Sequence, residues 1–462
     1  MNRSILAWLC LAGGMVAWPA LAQTVSDGRP EPRSHLSDLL IHVNQLGFDS
    51  AGPKMAVVES ATELPAHLAF ELQSVTTGKS VFSGELTTNT PVADWFPGRA
   101  FYRVDFSAWT NAGTYRVALT APGWTSQSAE FVIASQILAT ATIPAITGFY
   151  HHQRAASPEE LSADQHLLLY GSTNAVDLHG GWCDASGDVS KYFSHLAYAN
   201  VMSPQQTPLV VWSLANAYEK AAGAMTNAAD QAALAAETLY GADYVRRALS
   251  PAGYFYMTVF SYFKKDPAAR RVVGLLADSK TTADYQCAYR EGGGLGIAAL
   301  AHVSRWHQNG DYPWQEYLAG AERAFAHLEQ NNLRYDDDGR ENLIDDYGAL
   351  LAATELWMAT DKRVYRDAAR KRAHNLHSRQ SPFGYFLVND AGRPFWHAAD
   401  AGLPVMALAR YLEKETDPAA RAEALGVIKA FLDYQLRVTG NTNNPFGYAR
   451  QTFRFRDQIQ DG

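Results

Sequence analysis

The spacing of apolar residues changes near residue 135 and divides the chain into two parts. Residues 39–133 contain short runs rich in β-branched and aromatic residues, such as "FYRVDF" and "TYRVAL", which alternate as strands with one buried face do. After "FVIASQILAT", at least eight long segments rich in Ala and Leu repeat apolar residues every three or four positions. The sequence therefore predicts an all-β sandwich at 38–135, followed by an all-α domain at 140–462.

The helical segments have no fixed sequence period, so helical hairpins packed in a ring or toroid fit better than a regular solenoid. The chain has 462 residues, of which 47% are hydrophobic and 19% charged, as expected for a soluble protein with large cores. Its net charge is −8, and Lys and Arg are scattered along it, which argues against nucleic acid as a partner. The G-x-S-x-G motif of serine hydrolases and the phosphate-binding loop are both absent from the sequence.

The N-terminus is predicted to be an export signal. Arg3 is followed by the apolar run "ILAWLCLAGGMVAW" and by "ALA" at 20–22, a cleavage motif. We therefore expect a signal peptide at 1–22 and a leader at 23–37. The mature protein would be periplasmic or secreted, with no membrane association after cleavage.

Two cysteines, Cys183 and Cys287, lie beyond this signal. An exported location permits a disulfide, but two cysteines in so long a chain are no disulfide framework. Without clustered histidines they also make no zinc site. Separate buried thiols are the favoured interpretation.

The segment "GGWCDASGDVSKYFSHL", residues 180–196, places two carboxylates, Asp184 and Asp188, in a glycine-rich loop. A helix is predicted from Ser190 onward, so Asp188 or Ser190 could be its N-cap, and a calcium-binding loop is a further alternative. Two neighbouring carboxylates titrate together, and an ionised one can accept a proton from water as a general base. Trp182 and Tyr192 would offer flat faces to sugar rings. The residues alone leave these alternatives open.

The same segment resembles "GGWYDAGDxxKY", the signature of glycoside hydrolase family nine, a family of inverting cellulases. "HVNQLGF", "GTYRV" and "FVIA" are similar to the immunoglobulin-like domain that precedes many of its catalytic domains, and "YREGGGLGIAALA", "DDYGALLAATELW" and "NPFGYAR" resemble its later landmarks. The resemblance implies a multidomain protein in which an immunoglobulin-like sandwich precedes an (α/α)₆ barrel. It also implies cleavage of β-1,4 bonds in cellulose-type glucans or cello-oligosaccharides, with Asp188 as the general base and Asp184 as its partner.

The chain departs from this family pattern in two ways. The family usually separates the two aspartates by three positions, whereas Ser186 makes the separation four here, as in a bacterial subgroup that includes exo-β-glucosaminidases acting on chitosan oligosaccharides. The family's general acid is a glutamate, which we expect beyond Gly462, so that the helical domain would be incomplete at its C-terminus. A non-catalytic carbohydrate-binding protein is therefore a further alternative. Glu291 is disfavoured as a substitute acid, because a helix N-terminus should lower its pKa.

Three more residues are predicted to contact substrate: Trp396 and His397, in "GRPFWHAAD", and Arg450, which follows "NPFGYA". Ordinary packing, capping or surface roles are the alternatives for each of them. The expected partner is a β-linked oligo- or polysaccharide, and a monomer is expected.

An acid-rich stretch at 332–351, "NLRYDDDGRENLIDDYGALL", supplies possible ligands for a structural Ca²⁺. We assign these ligands to Asp336, Asp338 and Asp345. The order of residues does not match an EF-hand, and a solvated acidic turn before the next helix is the alternative. No other cofactor is expected to be required.

Overall fold

The computed structural model describes residues 39–92, 98–121, 124–184, 189–194, 206–276, 280–389, 391–395 and 401–462. The chain divides into two compact units, which meet in sequence between Ser135 and Gln136. Within the described ranges, no helix combines the length and the apolarity that crossing a membrane requires.

The first unit is a β-sandwich of two sheets. The part of this unit that the structure describes has nine strands: β1 (Leu39–His42), β2 (Phe48–Asp49), β3 (Met55–Ser60), β4 (Ala69–Ser74), β5 (Ser80–Glu85), β6 (Ala100–Asp105), β7 (Gly113–Ala121), β8 (Trp124–Gln127) and β9 (Phe131–Ala134). One sheet has the order β1-β3-β6, and the other has the order β2-β9-β7-β4-β5, with β8 paired to β7. Alternate residues of both sheets, among them Val58, Leu72, Val104 and Val117, form one buried core. The predicted sandwich is confirmed.

The second unit is mainly helical. Its described residues form ten α-helices: α1 (Ile137–His152), α2 (Pro158–Asp164), α3 (Thr207–Ala221), α4 (Ala228–Arg247), α5 (Gly294–Ser304), α6 (Trp314–Tyr335), α7 (Leu343–Thr360), α8 (Arg363–Ser378), α9 (Leu403–Leu412) and α10 (Pro418–Gly440). The eight segments predicted from apolar periodicity correspond to α3 through α10. The predicted order of a β-sandwich followed by helices is therefore confirmed.

Helices α5 and α7 lie at the centre of this unit. Every residue of α5 is buried, and so are residues 343–357 of α7, as expected for helices that other elements surround on all sides. The two helices approach closely at Gly294, where a Cβ atom would lie 2.5 Å from the backbone carbon of Gly348. Helices α3, α4 and α6 pack around α5, while α6, α8 and α9 pack around α7.

A buried ion network joins four of these helices. Glu355 of α7 has no solvent exposure and accepts hydrogen bonds from the Trp212 indole (3.0 Å) and from Arg410 of α9 (2.8 Å). Arg410 also pairs with Glu219 of α3 at 2.8 Å, and His302 of α5 lies between the two glutamates, 2.9 Å from Glu219 and 3.2 Å from Glu355. Because each charge has a partner of opposite sign, the network can exist in the interior.

Short strands fill the loops of the second unit. They are β10 (Leu167–Leu168), β11 (Ala175–Val176), β12 (Lys191–Tyr192), β13 (Thr258–Phe260), β14 (Arg271–Leu275), β15 (Thr281–Thr282), β16 (Thr452–Phe455) and β17 (Gln458–Asp461). Strands β12, β13, β14 and β15 form one sheet in that order. The helix predicted from Ser190 is therefore wrong at Lys191 and Tyr192, which pair with Val259 and Thr258. The rest of that predicted helix, from residue 195, lies outside the described residues.

The turn between α9 and α10 contains a buried glutamate. Glu415 accepts two hydrogen bonds from Arg370 (2.7 and 2.8 Å), one from the Tyr411 hydroxyl, and two from the backbone N–H groups of Thr416 and Asp417. Burial alone would raise its pKa, but the hydrogen bonds outweigh burial and lower the pKa to about 2.

This pKa predicts a dependence of stability on pH. Because the carboxyl titrates at a lower pH in the folded than in the unfolded chain, its stabilisation is present above about pH 4.5 and is lost as the pH falls towards 2. The loss amounts to about 3 kcal/mol for a difference of roughly 2.5 pH units. We expect Glu415→Gln to be less stable than the wild type at pH 7, and we expect the difference to shrink between pH 5 and pH 2 in urea unfolding. A difference that stays constant over this range would contradict the assignment.

Candidate active site

The glycine pair at the start of the predicted site makes a turn that other residues would not adopt easily. Gly180 and Gly181 have φ angles of 77° and 75°, in the left-handed region. A Cβ atom on Gly181 would also lie 2.7 Å from the ring of Tyr244 in α4. The two glycines therefore let the chain turn tightly against α4 before it enters the loop with the two aspartates.

Trp182 follows this turn and lies in the core. Its side chain is buried, and its indole N–H donates to Glu237 of α4 at 2.7 Å. Glu237 also accepts two-pronged hydrogen bonds from Arg154 (2.7 and 3.1 Å), while the rings of Tyr150 and Tyr240 pack beside the indole. This position corrects the prediction of a sugar-binding face, because the ring is enclosed by protein and anchors the loop instead.

Lys191, at the other end of the loop, is a buried anchor. Its side chain has no solvent exposure, and its ammonium group donates to the Asp164 carboxylate (2.6 Å) and to the carbonyls of Leu178 (2.6 Å) and Gly180 (2.8 Å). Burial lowers the pKa of Lys191 to about 8 and raises that of Asp164, since the loss of hydration outweighs the attraction between the two charges. Lys191 thus ties the beginning of the loop to its end.

Arg270 completes this anchor. It is buried beside Asp164, with Nε 3.1 Å from the carboxylate, and another of its nitrogens donates to the Val189 carbonyl at 2.9 Å. The next residue, Ser190, exchanges hydrogen bonds with Ser261 through its hydroxyl (2.9 Å). The backbone immediately after Asp188 is therefore fixed by buried polar contacts.

Asp184 lies between the two anchors and is half-buried. Its backbone N–H donates to the Ser190 carbonyl at 2.8 Å, and the N–H of Cys183 donates to the Gln153 carbonyl at 2.7 Å. The first bond brings the two ends of the short aspartate loop together across five intervening residues. Asp188, the predicted general base, lies outside the described residues.

Both cysteines are free thiols, as the sequence favoured. The thiol of Cys183 donates to Glu160 at 3.3 Å, and burial raises its pKa to about 12. Cys287 is fully buried, and burial also raises its pKa. Neither cysteine is activated as a nucleophile.

Tyr192, the second predicted sugar contact, is buried in β12. It packs with Phe260, Val273 and Leu275 in a small core within the four-stranded sheet. The structure therefore gives this residue a packing role, which corrects the prediction that its ring faces substrate.

Arg450, another predicted substrate contact, bonds to a different part of the chain. Arg450 makes its hydrogen bonds near the C-terminal end of the described chain: its backbone N–H donates to the Thr439 hydroxyl (3.1 Å), and its guanidinium donates to the Asp461 carbonyl (2.8 Å). Trp396 and His397 lie outside the described residues, and their assignment stays a prediction.

The aspartates predicted as calcium ligands converge on an arginine. Arg290 Nε lies 2.8 Å from Asp345 and 3.0 Å from Asp336, and a terminal nitrogen lies 3.3 Å from Asp338. The guanidinium also donates to the carbonyl of Arg340. A buried cation therefore already compensates the carboxylates, and ion pairs are an explanation of the acid-rich stretch that needs no calcium. The calcium assignment stays a prediction.

The pKa of Glu291, which follows Arg290, also differs from the prediction made from the sequence. Glu291 lies in a distorted turn just before α5, is 3% exposed, and accepts a hydrogen bond from the backbone N–H of Ala288. Burial raises its pKa to about 8, contrary to the lowering expected from a helix N-terminus. Such an enclosed carboxyl leaves no open side for a polysaccharide, so it remains unsuited to act as the acid.

Sequence reasoning missed three residues that hold the loop: Asp164, Glu237 and Arg270. Asp164 ends the short polar helix α2, and Glu237 lies in the middle of α4, so neither shows a local motif. Each acts on a residue at least 27 positions away, as in the pair between Asp164 and Lys191. The one available signal was Lys191 itself, a lysine among aromatic residues that needs a buried acidic partner.

Known proteins share this architecture. Residues 38–123 match the cellulase N-terminal ig-like domain, and residues 142–457 match glycosyl hydrolase family 9. A solved metagenome-derived glycoside hydrolase family 9 endoglucanase aligns with 89% of this chain and 75% of its own, with a TM-score of 0.60 and 20% identity. A Bacteroides ovatus GH9 structure aligns with 88% of this chain and 75% of its own, with a TM-score of 0.57 and 22% identity. Both structural similarities confirm the fold.

A curated relative is similar in sequence. The xyloglucan-specific endo-beta-1,4-glucanase BoGH9A of Bacteroides ovatus is 24% identical over 381 residues, which cover 73% of this chain and 60% of that protein. The chain thus spans less than two thirds of the length of this relative. The family match, in contrast, covers well over half of the chain, from residue 142 to residue 457. The chain therefore belongs to glycosyl hydrolase family 9.

Proposed function

We propose that this chain is an inverting glycoside hydrolase that cleaves β-1,4-linked glucans. The observation that carries the proposal is the double anchoring of the aspartate loop. Trp182 is bonded to Glu237 at one end, and Lys191 is bonded to Asp164 at the other, all with buried side chains. A catalytic group has to be held within a fraction of an ångström by surrounding residues, and these anchors supply such support.

The mechanism assigns different roles to the two aspartates. Asp188 accepts a proton from water as the water attacks the anomeric carbon, and Asp184 accepts a second hydrogen bond from the same water and so orients it. Inversion also requires a carboxylic acid across the glycosidic bond, about 6.5–9.5 Å from the base, so that a water fits between them. The family resemblance assigns this acid to a glutamate and not to either aspartate.

The substrate class follows from relatives and not from the site alone. The curated relative is described as a xyloglucan-specific endo-β-1,4-glucanase, which favours a β-1,4-glucan backbone over a glucosamine polymer. Internal cleavage of such a backbone is the corresponding mode of action. A β-1,4-glucosamine oligomer, suggested by the longer spacing between the aspartates, is the competing substrate in the test.

The test compares xyloglucan, cellotetraose and glucosamine tetramer as substrates of a protein that carries both aspartates together with the glutamate that supplies the acid. We expect sugar release from a glucan and little from the glucosamine tetramer, with the α-anomer appearing first in the NMR spectrum because inversion converts a β-linkage into an α-product. First appearance of the β-anomer would contradict inversion. Faster release from the glucosamine tetramer would contradict the substrate class, and binding without release from any of the three would indicate a carbohydrate-binding protein instead.

A further inference from the structure

Two histidines and a glutamate meet between helices α8 and α10, apart from the aspartate loop. His374 and His377 lie one turn apart on α8, and Glu423 lies in the first half of α10. The Nδ1 atoms of the two histidines are 2.9 and 2.7 Å from the same oxygen of Glu423. Their side chains are 65% and 54% exposed, and that of Glu423 is 32% exposed.

The donor set fits a transition metal better than an alkaline-earth ion. One ligand atom from each of the three residues lies within 4.8 Å of the other two. A Zn²⁺ ion bonds to imidazole nitrogen and carboxylate oxygen at about 2.0–2.2 Å, so a single ion can reach all three atoms after small side-chain adjustments. Calcium and magnesium prefer oxygen ligands and are poorly served by two imidazoles. Solvent exposure leaves room for water in the remaining coordination position.

The neighbouring charges do not oppose a cation. Arg370, one turn before His374, is engaged by both oxygens of Glu415. Asp417 lies beside the same surface depression and caps α10 by accepting from the backbone N–H groups at its start. With neutral imidazoles, these residues and Glu423 together carry a net negative charge, which attracts a divalent ion.

We propose that His374, His377 and Glu423 bind one divalent transition-metal ion of the Zn²⁺ class and that this ion links α8 to α10. The alternative is a metal-free cluster in which one or both imidazoles are protonated and pair with the carboxylate. Metal binding differs from this alternative because it needs all three residues together and is favoured when the imidazoles are neutral.

The test measures Zn²⁺ binding to the full chain by titration against a chromophoric chelator, slightly above neutral pH. We expect His374→Ala, His377→Ala and Glu423→Ala each to abolish the binding of one equivalent of zinc. If zinc still binds, its affinity should fall by more than the roughly 10- to 100-fold that the loss of a residue behind the metal ligands costs. Excess Ca²⁺ should not displace the ion. The three side chains lie on the surface, so these variants should keep the wild-type circular dichroism spectrum.

The chain offers a matched control in the β-sandwich. His67 Nδ1 lies 2.9 Å from Glu85, an exposed pair with the same separation but with a single histidine. His67→Ala should keep the full zinc stoichiometry. Zinc should also raise the melting temperature of the wild type and of the His67 variant, and not that of the three site variants. The proposal is overturned if the wild type binds no zinc, if the three variants bind it as the wild type does, or if the His67 variant loses the same equivalent.

Discussion

Replacing Asp188 with asparagine is expected to reduce kcat by about 10²- to 10⁴-fold on any β-1,4-glucan that the wild type cleaves, because asparagine keeps the shape but cannot accept a proton. KM should change little, since the aspartate contributes mainly in the transition state. Asp184→Asn should also lower kcat, because its carboxylate orients the same water. As the two act on one water molecule, the double variant should lose little more than the worse single variant.

The control for these variants is Asp177→Asn. Asp177 lies seven residues before Asp184, is exposed, and forms a hydrogen bond with His179 at 2.7 Å. Asp177 has the same charge as the two loop aspartates and lies in the same region of the chain, but it has no role in the proposed chemistry. The kcat of Asp177→Asn should therefore equal that of the wild type. Initial rates of reducing-sugar release and thermal unfolding should be measured for all variants. Wild-type rates for Asp188→Asn, or equal losses in Asp177→Asn, would refute the assignment of the base.

Lys191→Met is expected to destabilise the helical unit by about 3–5 kcal/mol, because it breaks a fully buried ion pair from one side. Asp164 would lose its nearest cation, and the carbonyls of Leu178 and Gly180 would lose a donor. Since those contacts also fix the aspartate loop, activity should fall even at temperatures at which the variant is folded. Urea unfolding measures the loss of stability, and the rate measured well below the melting temperature measures the loss of activity.

Lys54→Met is the matched control for this change. Lys54 is an equally buried lysine of the β-sandwich, whose ammonium group donates to the backbone carbonyls of Asp49, Ser50 and Gly52. Its removal leaves neutral groups without a donor, so the cost should be about 1–3 kcal/mol. Activity should be unaffected. If Lys191→Met costs no more than Lys54→Met and leaves kcat unchanged, Lys191 does not hold the catalytic loop.

Apolar periodicity predicted most of the long elements, but it did not identify the 16-residue helix α1. Helices α3 to α10 repeat their apolar residues over 10 to 23 positions, and that pattern leaves no competing interpretation. The two-residue strand β12 could not be predicted in the same way. Lys191 and Tyr192 are in a strand because Val259 and Thr258, more than 60 residues later in the chain, lie beside them, and "SKYF" contains no trace of that partner.

The site could be predicted only in part, for a related reason. The sequence identified the segment around Asp184, but it did not distinguish a tryptophan that faces a sugar from one that anchors a loop. Trp182 took the second role because Glu237, in a distant helix, accepts its indole N–H. Likewise, the aspartates near residue 340 were predicted to attract calcium, whereas Arg290, about 50 positions earlier, already compensates them. Residues far away in the sequence therefore determine the roles of these side chains.

The central position of α5 and α7 has a consequence for how the second unit comes apart. Neither α5 nor residues 343–357 of α7 have a face that water can reach without removal of α3, α4, α6, α8 or α9. Peeling a single outer helix away would expose a wide apolar surface with nothing to replace it, so partial opening is costly there. The amide protons of α5 and α7 should consequently exchange with solvent only when the whole unit unfolds, so these two helices should be its most strongly protected part.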